Sequence, residues 1–493
     1  MYSCWLLASW CATPLLRAGF RIWHHLGKVI LFALHYGCAE IICSSENKAG
    51  WQNNYLTPLT YAQLLRGNPL FRRLWLGQVA SELGSWFDAV AVLGLVRQVS
   101  GASPEAAALI LALRFLPFAL AGPLAGTLVD RNSRRFFMLA ADFGRAIVVL
   151  GFLFVRGPED LWLAYLCAFL NSALTAFFDA GKNGALPNLA GERGLLAANT
   201  LMFSTRFLFL ALGSALGGIV VTKFGYRVAF VVDAASFLVS AWCVWGVAER
   251  FMRPAVVATD EPAERLKFWD DWRAGWRFIF QQRLVLLLIG MNIIWSLGGG
   301  AANLMYERLG GVELGPRDGW TNDGAVSFIF TVLGISLFIG MILARRVGAW
   351  VEAKGLIVPF IGWTLIAHGL FWAATGVTQH LWQMALMIFF SRVIIGVEFG
   401  VQDTLLLRAL PDNLRGRIMT TDRAAETLVT GLSLLAAGRA LAWFTPQTVS
   451  IAAGFLTALP GLVWFLACGV GWARLPESRR SGVTQRECDA ERE

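Results

Sequence analysis

The sequence predicts an all-α integral membrane protein with twelve transmembrane helices arranged in two six-helix bundles. Three observations support this fold class: the composition, the spacing of apolar segments, and the distribution of Lys and Arg between the connections. The 493 residues are 56% hydrophobic and 15% charged, with a mean hydropathy of +0.57. Soluble domains carry about 25% charged residues. The composition therefore excludes a soluble enzyme and favours helices that lie in lipid.

Twelve apolar segments, each long enough to cross a bilayer, follow one another from residue 71 onward. The first six cover residues 71–98, 105–129, 136–156, 161–181, 197–222 and 227–247. The second six cover residues 284–306, 323–344, 355–375, 381–403, 418–443 and 449–472. This order predicts two halves related by pseudo-twofold symmetry, a plan typical of transporters that bind their substrate between the halves.

The predicted domains follow from these segments. They are an atypical N-terminal extension (1–67), a first bundle (68–247), a cytoplasmic linker (248–283), a second bundle (284–472) and a charged cytoplasmic tail (473–493). In the extension, the apolar run Val29 to Cys43 is too short to span a membrane. We expect either an interfacial or disordered extension or a translation start further downstream. The linker carries aromatic and aliphatic residues at spacings of three to four, which predicts an amphipathic helix on the membrane surface. These residues are Phe268, Trp269, Trp272, Trp276, Ile279 and Phe280.

The net charge of +9 is explained by topology. About 27 Lys and Arg residues fall on one side of the predicted spans and about 6 on the other. The positive-inside rule then places both termini in the cytoplasm of a multi-pass protein of the plasma (inner) membrane, and nucleic acid is not an expected partner. The eight cysteines show neither C-x-x-C spacing nor a neighbouring His cluster, so neither a metal nor a cofactor is expected.

A basic loop after the second segment has a pattern that goes beyond topology. Gly126 permits close helix approach, Asp130 can pair with a helix N-terminus or an Arg, and the basic residues can anchor at anionic headgroups. The basic residues of this predicted conformational-switch loop are Arg131, Arg134 and Arg135. Asp142 and Arg145 lie three residues apart on one helical face, where we expect them to support the loop.

This loop, with Ser133 where Gly is usual, resembles the cytoplasmic signature of the major facilitator superfamily. Across residues 68–472 the chain is similar to the branch that contains enterobactin exporters and macrolide efflux permeases. The segments that carry this resemblance are 83–87, 114–117, 142–145, 185–187, 198–199, 411–412 and 415–417. The resemblance implies the major facilitator fold and secondary active transport.

Two further motifs relate to that family. The second half repeats the loop at Gly340, Arg345 and Arg346, but Ala344 stands where Asp130 stands in the first half, which implies that the first half carries the conformational latch. The run Gly213, Gly217 and Gly218 is similar to the end of the antiporter signature, with Ser214 in place of Pro. This run favours export and predicts tight helix packing.

Charges inside predicted spans are the candidate functional groups, because a charge in a bilayer is costly. Glu82, Asp88 and Glu398 are candidate proton carriers; alternatively, Asp88 pairs with Arg114 and Glu398 with Arg392. The candidate substrate cavity is lined by residues near mid-depth, which are Arg114, Asn171, Arg206, Asn292 and Arg392. The arginines suit an anionic cargo such as a catecholate siderophore, whereas the aromatic content suits an apolar drug.

These features predict a monomeric transporter that exports a small molecule by proton-coupled alternating access. Uptake or lysophospholipid-like transport on the same fold is one alternative, and a non-transporting membrane sensor or assembly protein is another. No H-E-x-x-H, G-x-S-x-G or P-loop pattern is present in the sequence, so neither enzymatic activity nor ATP-driven pumping is expected.

Overall fold

The computed structural model describes residues 59–249, 252 and 276–472. The chain divides into two compact units, Met1–Leu56 and Thr57–Glu493, and every described residue belongs to the second. Most of the predicted N-terminal extension, most of the linker and the tail from residue 473 therefore lie outside the described residues. Within the described part of the linker, Trp276 and Phe280 stack with their ring centroids 5.8 Å apart.

The described chain is helical and falls into two sets of six long helices. A short helix, α1 (Tyr61–Gly67), precedes the first set, which consists of α2 (Pro69–Val99), α3 (Pro104–Arg131), α4 (Arg134–Gly151), α5 (Pro158–Gly191), α6 (Arg193–Phe224) and α7 (Tyr226–Trp245). The second set consists of α8 (Arg283–Met305), α9 (Asn322–Ala353), α10 (Ile357–Ala374), α11 (Leu381–Ala409), α12 (Asp412–Ala440) and α13 (Pro446–Gly469).

The helix boundaries have local causes. Asn68, Ser103, Ser133, Thr321 and Thr445 each accept a hydrogen bond from a backbone N–H in the first turn of the helix that follows. Three of these helices also begin with Pro, which lacks the N–H that a first turn leaves unpaired. The 64-residue helical segment that contains α5 and α6 breaks at Gly191, whose φ of 66° and ψ of 169° are accessible only to glycine at low cost.

Each of the twelve predicted apolar segments overlaps one of these long helices. Eleven of the described helices are long and apolar enough to cross a membrane. The remaining long helix, α12, is more polar because it carries Asp422, Arg423 and Glu426. It nevertheless packs against α3 and α8, so it belongs to the membrane-spanning core.

The connections lie alternately at two faces of the molecule. The basic face contains the α3–α4, α5–α6, α9–α10 and α11–α12 connections; the Lys and Arg distribution predicts that it is cytoplasmic. We call the other face the outer face. Two pairs of helices join the halves, α3 with α12 and α6 with α9. In each pair, the second helix of one half packs against the fifth helix of the other, which is the pseudo-twofold arrangement that the repeat predicts.

Candidate functional site

The outer face is closed by ion pairs between the two halves. Arg97, at the end of α2, pairs with Glu307 at 3.5 Å and with Asp323 at the start of α9. The Tyr226 hydroxyl donates to the second oxygen of Asp323 at 3.0 Å. Glu307 lies in a π-helical segment, Tyr306–Leu314, that continues α8; such segments are frequent at functional sites. One arginine of the first half thus holds two carboxylates of the second.

Further contacts surround this closure. Arg308 donates to the backbone oxygen of Ala102 at 2.8 Å, and Arg439 of α12 pairs with Glu105 of α3 at 3.6 Å. Among the described residues, the ion pairs that join the two halves all lie at this face. The described conformation is therefore closed at the outer face.

The glycines of the antiporter-like run pack against two different helices. A Cβ at Gly213 would lie 2.8 Å from the Cβ of Trp86, and one at Gly217 would lie 3.1 Å from the Cα of Phe87, both on α2. A Cβ at Gly218 would overlap Ser327 of α9, in the other half. This segment of α6 thus combines tight packing within its own half with tight packing across the interface.

The predicted switch loop is described in part. Arg135 donates to the backbone oxygen of Trp245 at 2.5 Å and lies over its ring, and the Arg134 side chain lies against Gly184 of α5. The side chains of Asp130 and Arg131 lie outside the described residues. The close helix approach expected at Gly126 is wrong for this conformation, because no atom of the described residues lies within 4 Å of a Cβ built there.

Asp142 and Arg145 form a buried ion pair on α4. The Arg145 guanidinium lies between two aromatic rings, 4.5 Å from the centroid of Phe178 on α5 and 4.3 Å from that of Phe237 on α7. Such cation–π contacts stabilise a desolvated guanidinium. The pair therefore ties α4 to two neighbouring helices of the first half.

In the second half, Ala344, which stands at the position of Asp130, lies where two helices pack closely. A Cβ at Gly400 of α11 would lie 2.8 Å from the Cβ of Ala344, and a Cβ at Gly340 would lie 2.6 Å from the backbone oxygen of Val393. Helices α9 and α11 therefore approach each other closely at the second copy of the loop.

Glu82 is part of a charged network in the first half. The Gln78 side-chain amide donates to Glu82 at 2.6 Å, and Lys182 donates to Gln78 at 3.2 Å and to Asp179 at 2.6 Å. The exposed Arg206 interacts electrostatically with both Glu82 and Asp179. In this network the two carboxyls, Glu82 and Asp179, are balanced by the two basic side chains, Lys182 and Arg206.

Asp88 and Arg114 are brought together at 3.3 Å. The structure adds a residue that the sequence analysis missed, Asp233 of α7, which is fully buried and interacts electrostatically with Asp88. One carboxyl oxygen of each acid has no hydrogen-bond partner among the described residues. The sequence did contain a signal for it: Asp233 is a single acidic residue within the apolar segment 227–247, and that segment was assessed only for its hydropathy.

The alternative pairing of Arg392 with Glu398 is wrong. Arg392 donates instead to the Tyr306 hydroxyl, at 3.1 Å from Nε and 2.5 Å from Nη2, and lies over the Trp372 ring. Arg392 is thus buried and bound to two aromatic side chains of its own half. Glu398 is also buried, and neither of its carboxyl oxygens has a hydrogen-bond partner among the described residues.

The two asparagines predicted to line the substrate cavity, Asn292 and Asn171, lie in different halves of the molecule. Asn292 donates to Asp422 at 2.9 Å and accepts from Gln402 at 2.5 Å, so it belongs to a buried polar chain in the second half. Asn171, on α5, is half-buried, and its side-chain oxygen has no partner among the described residues.

Helix α12 contributes charged residues that the sequence analysis did not single out. Arg423 pairs with Asp403 of α11 at 2.8 Å and with Glu426 at 2.9 Å. Asp422 is fully buried beside them. The spacing of these charges, one, three and four residues apart within a predicted span, was the available signal.

Comparisons with known proteins agree with this architecture. The sequence model of the Major Facilitator Superfamily matches residues 74–421. The chain is 26% identical over 443 residues to the uncharacterized MFS-type transporter YfiS of Bacillus subtilis, a match that covers 85% of this chain and 98% of that protein. It is 30% identical over 130 residues to macrolide efflux protein A of Streptococcus pyogenes, covering 25% and 31% of the two chains.

Among solved structures, the fold is similar to that of a bacterial homologue of the iron transporter ferroportin in the inward-facing state. The TM-score is 0.62 at 14% identity, and the match covers 80% of this chain and 98% of the other.

Proposed function

The chain belongs to the major facilitator superfamily and is a membrane transporter rather than an enzyme, and we propose that it exports a small molecule in exchange for protons. It acts in this proposal as a monomer in the plasma membrane, with both termini in the cytoplasm. The macrolide efflux protein to which part of the chain is similar, and the glycine run of α6, both favour export over uptake.

The closed outer face supports alternating access. With the orientation that the Lys and Arg distribution predicts, the closed face is the extracellular one, and an exporter in this state loads its cargo from the opposite, cytoplasmic side. Release on the other side requires the Arg97 ion pairs with Glu307 and Asp323 to break. The halves then rock about the two helix pairs that join them, as in other transporters built from repeats.

The observation that carries proton coupling is the group formed by Asp88, Asp233 and Arg114. Two buried carboxyls interact with each other, Arg114 pairs with Asp88, and Arg145, which also acts on Asp233, is already paired with Asp142. Burying an ionised carboxylate that lacks a partner is very costly, so one guanidinium balances one ionised carboxylate and the other needs a proton. Movement of Arg114 or of α7 during the conformational change would alter this balance and release or take up that proton. Glu82, in its balanced network, is the second candidate carrier.

The test is gradient-driven transport in vesicles loaded with a panel that contains a macrolide and a catecholate siderophore. Export driven by an imposed pH gradient should be lost in Asp88→Asn and strongly reduced in Glu82→Gln or Asp233→Asn. Glu159→Gln, an exposed carboxyl at the outer face, is the matched control and should retain transport. Unimpaired gradient-driven transport in both Asp88→Asn and Glu82→Gln would overturn proton coupling through these residues.

A further inference from the structure

A cavity of about 300 Å³ lies at the basic face of the second half. It is bounded by the end of α9, the start of α10 and the end of α11. Ala344, Arg345 and Gly348 of the second copy of the loop and the turn after it line the cavity from α9. Its volume is that of about ten molecules of liquid water, which is enough for a small polar group. We call it the basic-face cavity.

Small residues leave this space between the helices. Gly348 of α9 and Gly400 of α11 both line the basic-face cavity. A Cβ at Gly348 would have the Cγ2 atom of Val401 at 3.4 Å as its contact, which is an ordinary van der Waals distance. The space beside Gly348 can therefore accept either a larger side chain or a ligand.

The charges that line the basic-face cavity leave it with a net positive charge. Arg408 of α11 pairs with Glu352 of α9 through both of its terminal nitrogens, one of them at 3.3 Å. These two side chains are 56% and 47% exposed, so water screens their attraction. Arg345, which also lines the cavity, has no ion-pair partner among the described residues. Two guanidinium groups against one carboxylate suit an anion with several oxygens, such as a phosphate.

The sequence explains why Arg345 is left without a carboxylate beside it. In the first copy of the loop, Asp130 directly precedes Arg131, whereas Ala344 directly precedes Arg345 in the second copy. The second copy therefore keeps the base and lacks the neighbouring acid. An anion from outside the chain can supply the missing negative charge.

The position of the basic-face cavity indicates where that anion comes from. Arg345 directly follows the apolar segment 323–344, and Arg408 lies one residue before the end of α11. Trp350, at the same end of α9, is 42% exposed, and exposed Trp side chains are typical of the membrane–water interface. The two arginines therefore lie at the level of the phospholipid headgroups, where anionic lipids attract basic side chains.

We propose that the basic-face cavity binds the phosphate of an anionic phospholipid from the adjacent leaflet. Arg345 donates to the phosphate oxygens, and Arg408 shares its N–H groups between the phosphate and Glu352. The headgroup thereby bridges α9 and α11 at the second copy of the loop. This lipid site goes beyond the proposed export function, because it lies within one half and does not depend on the identity of the cargo.

The experiment measures how well the lipid protects the cavity from a small reagent. In the full-length chain with its eight native cysteines replaced by Ala, Thr404, which is exposed and lines the cavity, is replaced by Cys. Labelling by uncharged N-ethylmaleimide is timed in nanodiscs of phosphatidylglycerol or of phosphatidylcholine, whose choline neutralises its phosphate. We expect phosphatidylglycerol to slow labelling about fivefold. Lys354→Cys, exposed at the same face but outside the cavity, corrects for the surface charge of the discs and should show no such protection.

Further substitutions separate binding in the cavity from general attraction to a charged membrane. Arg345→Gln and Arg408→Gln should each remove most of the protection, whereas Arg346→Gln, an exposed arginine outside the cavity, should retain it. Gly348→Leu should abolish the protection without a change of charge, because the new side chain fills the cavity. Glu352→Gln removes the carboxylate that competes for Arg408 and should increase the protection, an effect that damage to the fold would not produce. The thermal unfolding midpoint shows that each variant is folded.

Equal corrected labelling rates in the two lipids would overturn the proposal, as would full protection in folded Arg345→Gln and Arg408→Gln. A loss of protection in Arg346→Gln as large as that in Arg345→Gln would replace the site by a general effect of surface charge. Protection in phosphatidylcholine discs by added glycerol 1-phosphate, as strong as that by phosphatidylglycerol, would overturn the lipid source. None of these measurements uses a cargo or a gradient, so their outcome is independent of whether the proposed export function holds.

Discussion

Replacing Arg97 by Gln is expected to open the outer face of the transporter. The Arg97, Glu307 and Asp323 side chains are only 11%, 1% and 17% exposed, so solvent screens their ion pairs weakly. Removing one partner of a buried ion pair costs about 3–5 kcal/mol. The lower end applies here, because Glu307 keeps Arg308 at 3.6 Å and Asp323 keeps the Tyr226 hydroxyl at 3.0 Å. A loss of about 3 kcal/mol raises the ratio of open to closed molecules about 100-fold.

The assay measures how often the outer face opens. Ser327, buried on α9 against Gly218 of α6, is replaced by Cys in a chain whose eight native cysteines are replaced by Ala. The rate of labelling by a membrane-impermeant maleimide then follows the open population. Adding Arg97→Gln should accelerate labelling about 100-fold by the ratio worked out above. Adding Arg156→Gln, an exposed arginine of the same face, should not.

An Arg97→Gln rate within twofold of the parent rate would refute the reasoning, because the closure would then be held by helix packing alone. An accelerated rate at a temperature where the variant has already begun to unfold would point to loss of folding, so labelling and the thermal unfolding curve are measured on the same samples. Arg97→Lys, which keeps the charge but not the forked geometry, should give an intermediate rate.

Two further predictions concern packing and pH. Gly334→Ala places a Cβ 2.5 Å from the backbone nitrogen of Ala211 and should lower the thermal unfolding midpoint by a few degrees. Gly126→Ala places its Cβ in open space and should leave the midpoint unchanged. Equal midpoints in the two variants would contradict the close packing of α9 against α6 at Gly334. A hydrogen bond from His380 holds the pKa of Asp318 below its usual value, so the stability that this carboxylate contributes is present above about pH 4 and is lost as the pH falls further. The unfolding midpoint should therefore fall more steeply between about pH 5 and pH 3 in the native protein than in Asp318→Asn, and parallel curves would contradict this.

The success of the sequence-based prediction differs from one charged pair to another for geometric reasons. Asp142 and Arg145, three residues apart on one helix, must share a face, and the structure shows them paired. Arg392 and Glu398 are six residues apart, which is about 240° around a helix, so they project to different sides. Lying in the same predicted span was therefore not enough to make the two side chains partners.

The sequence by itself determined the membrane location, the helical fold, the two halves and the family. These properties depend on runs of apolar residues and on short contiguous motifs, which a linear chain displays directly. It also identified Asp88 and Arg114, since each is an isolated charge in an apolar span.

Only the tertiary structure decided which charges balance one another. The closure by Arg97 joins residues more than 200 positions apart, Asp233 acquires its meaning from Asp88 on another helix, and the pair of Arg423 with Asp403 exists only where α11 and α12 meet. The energy of a buried charge depends on what lies within a few ångströms of it in space, and sequence distance does not contain that information.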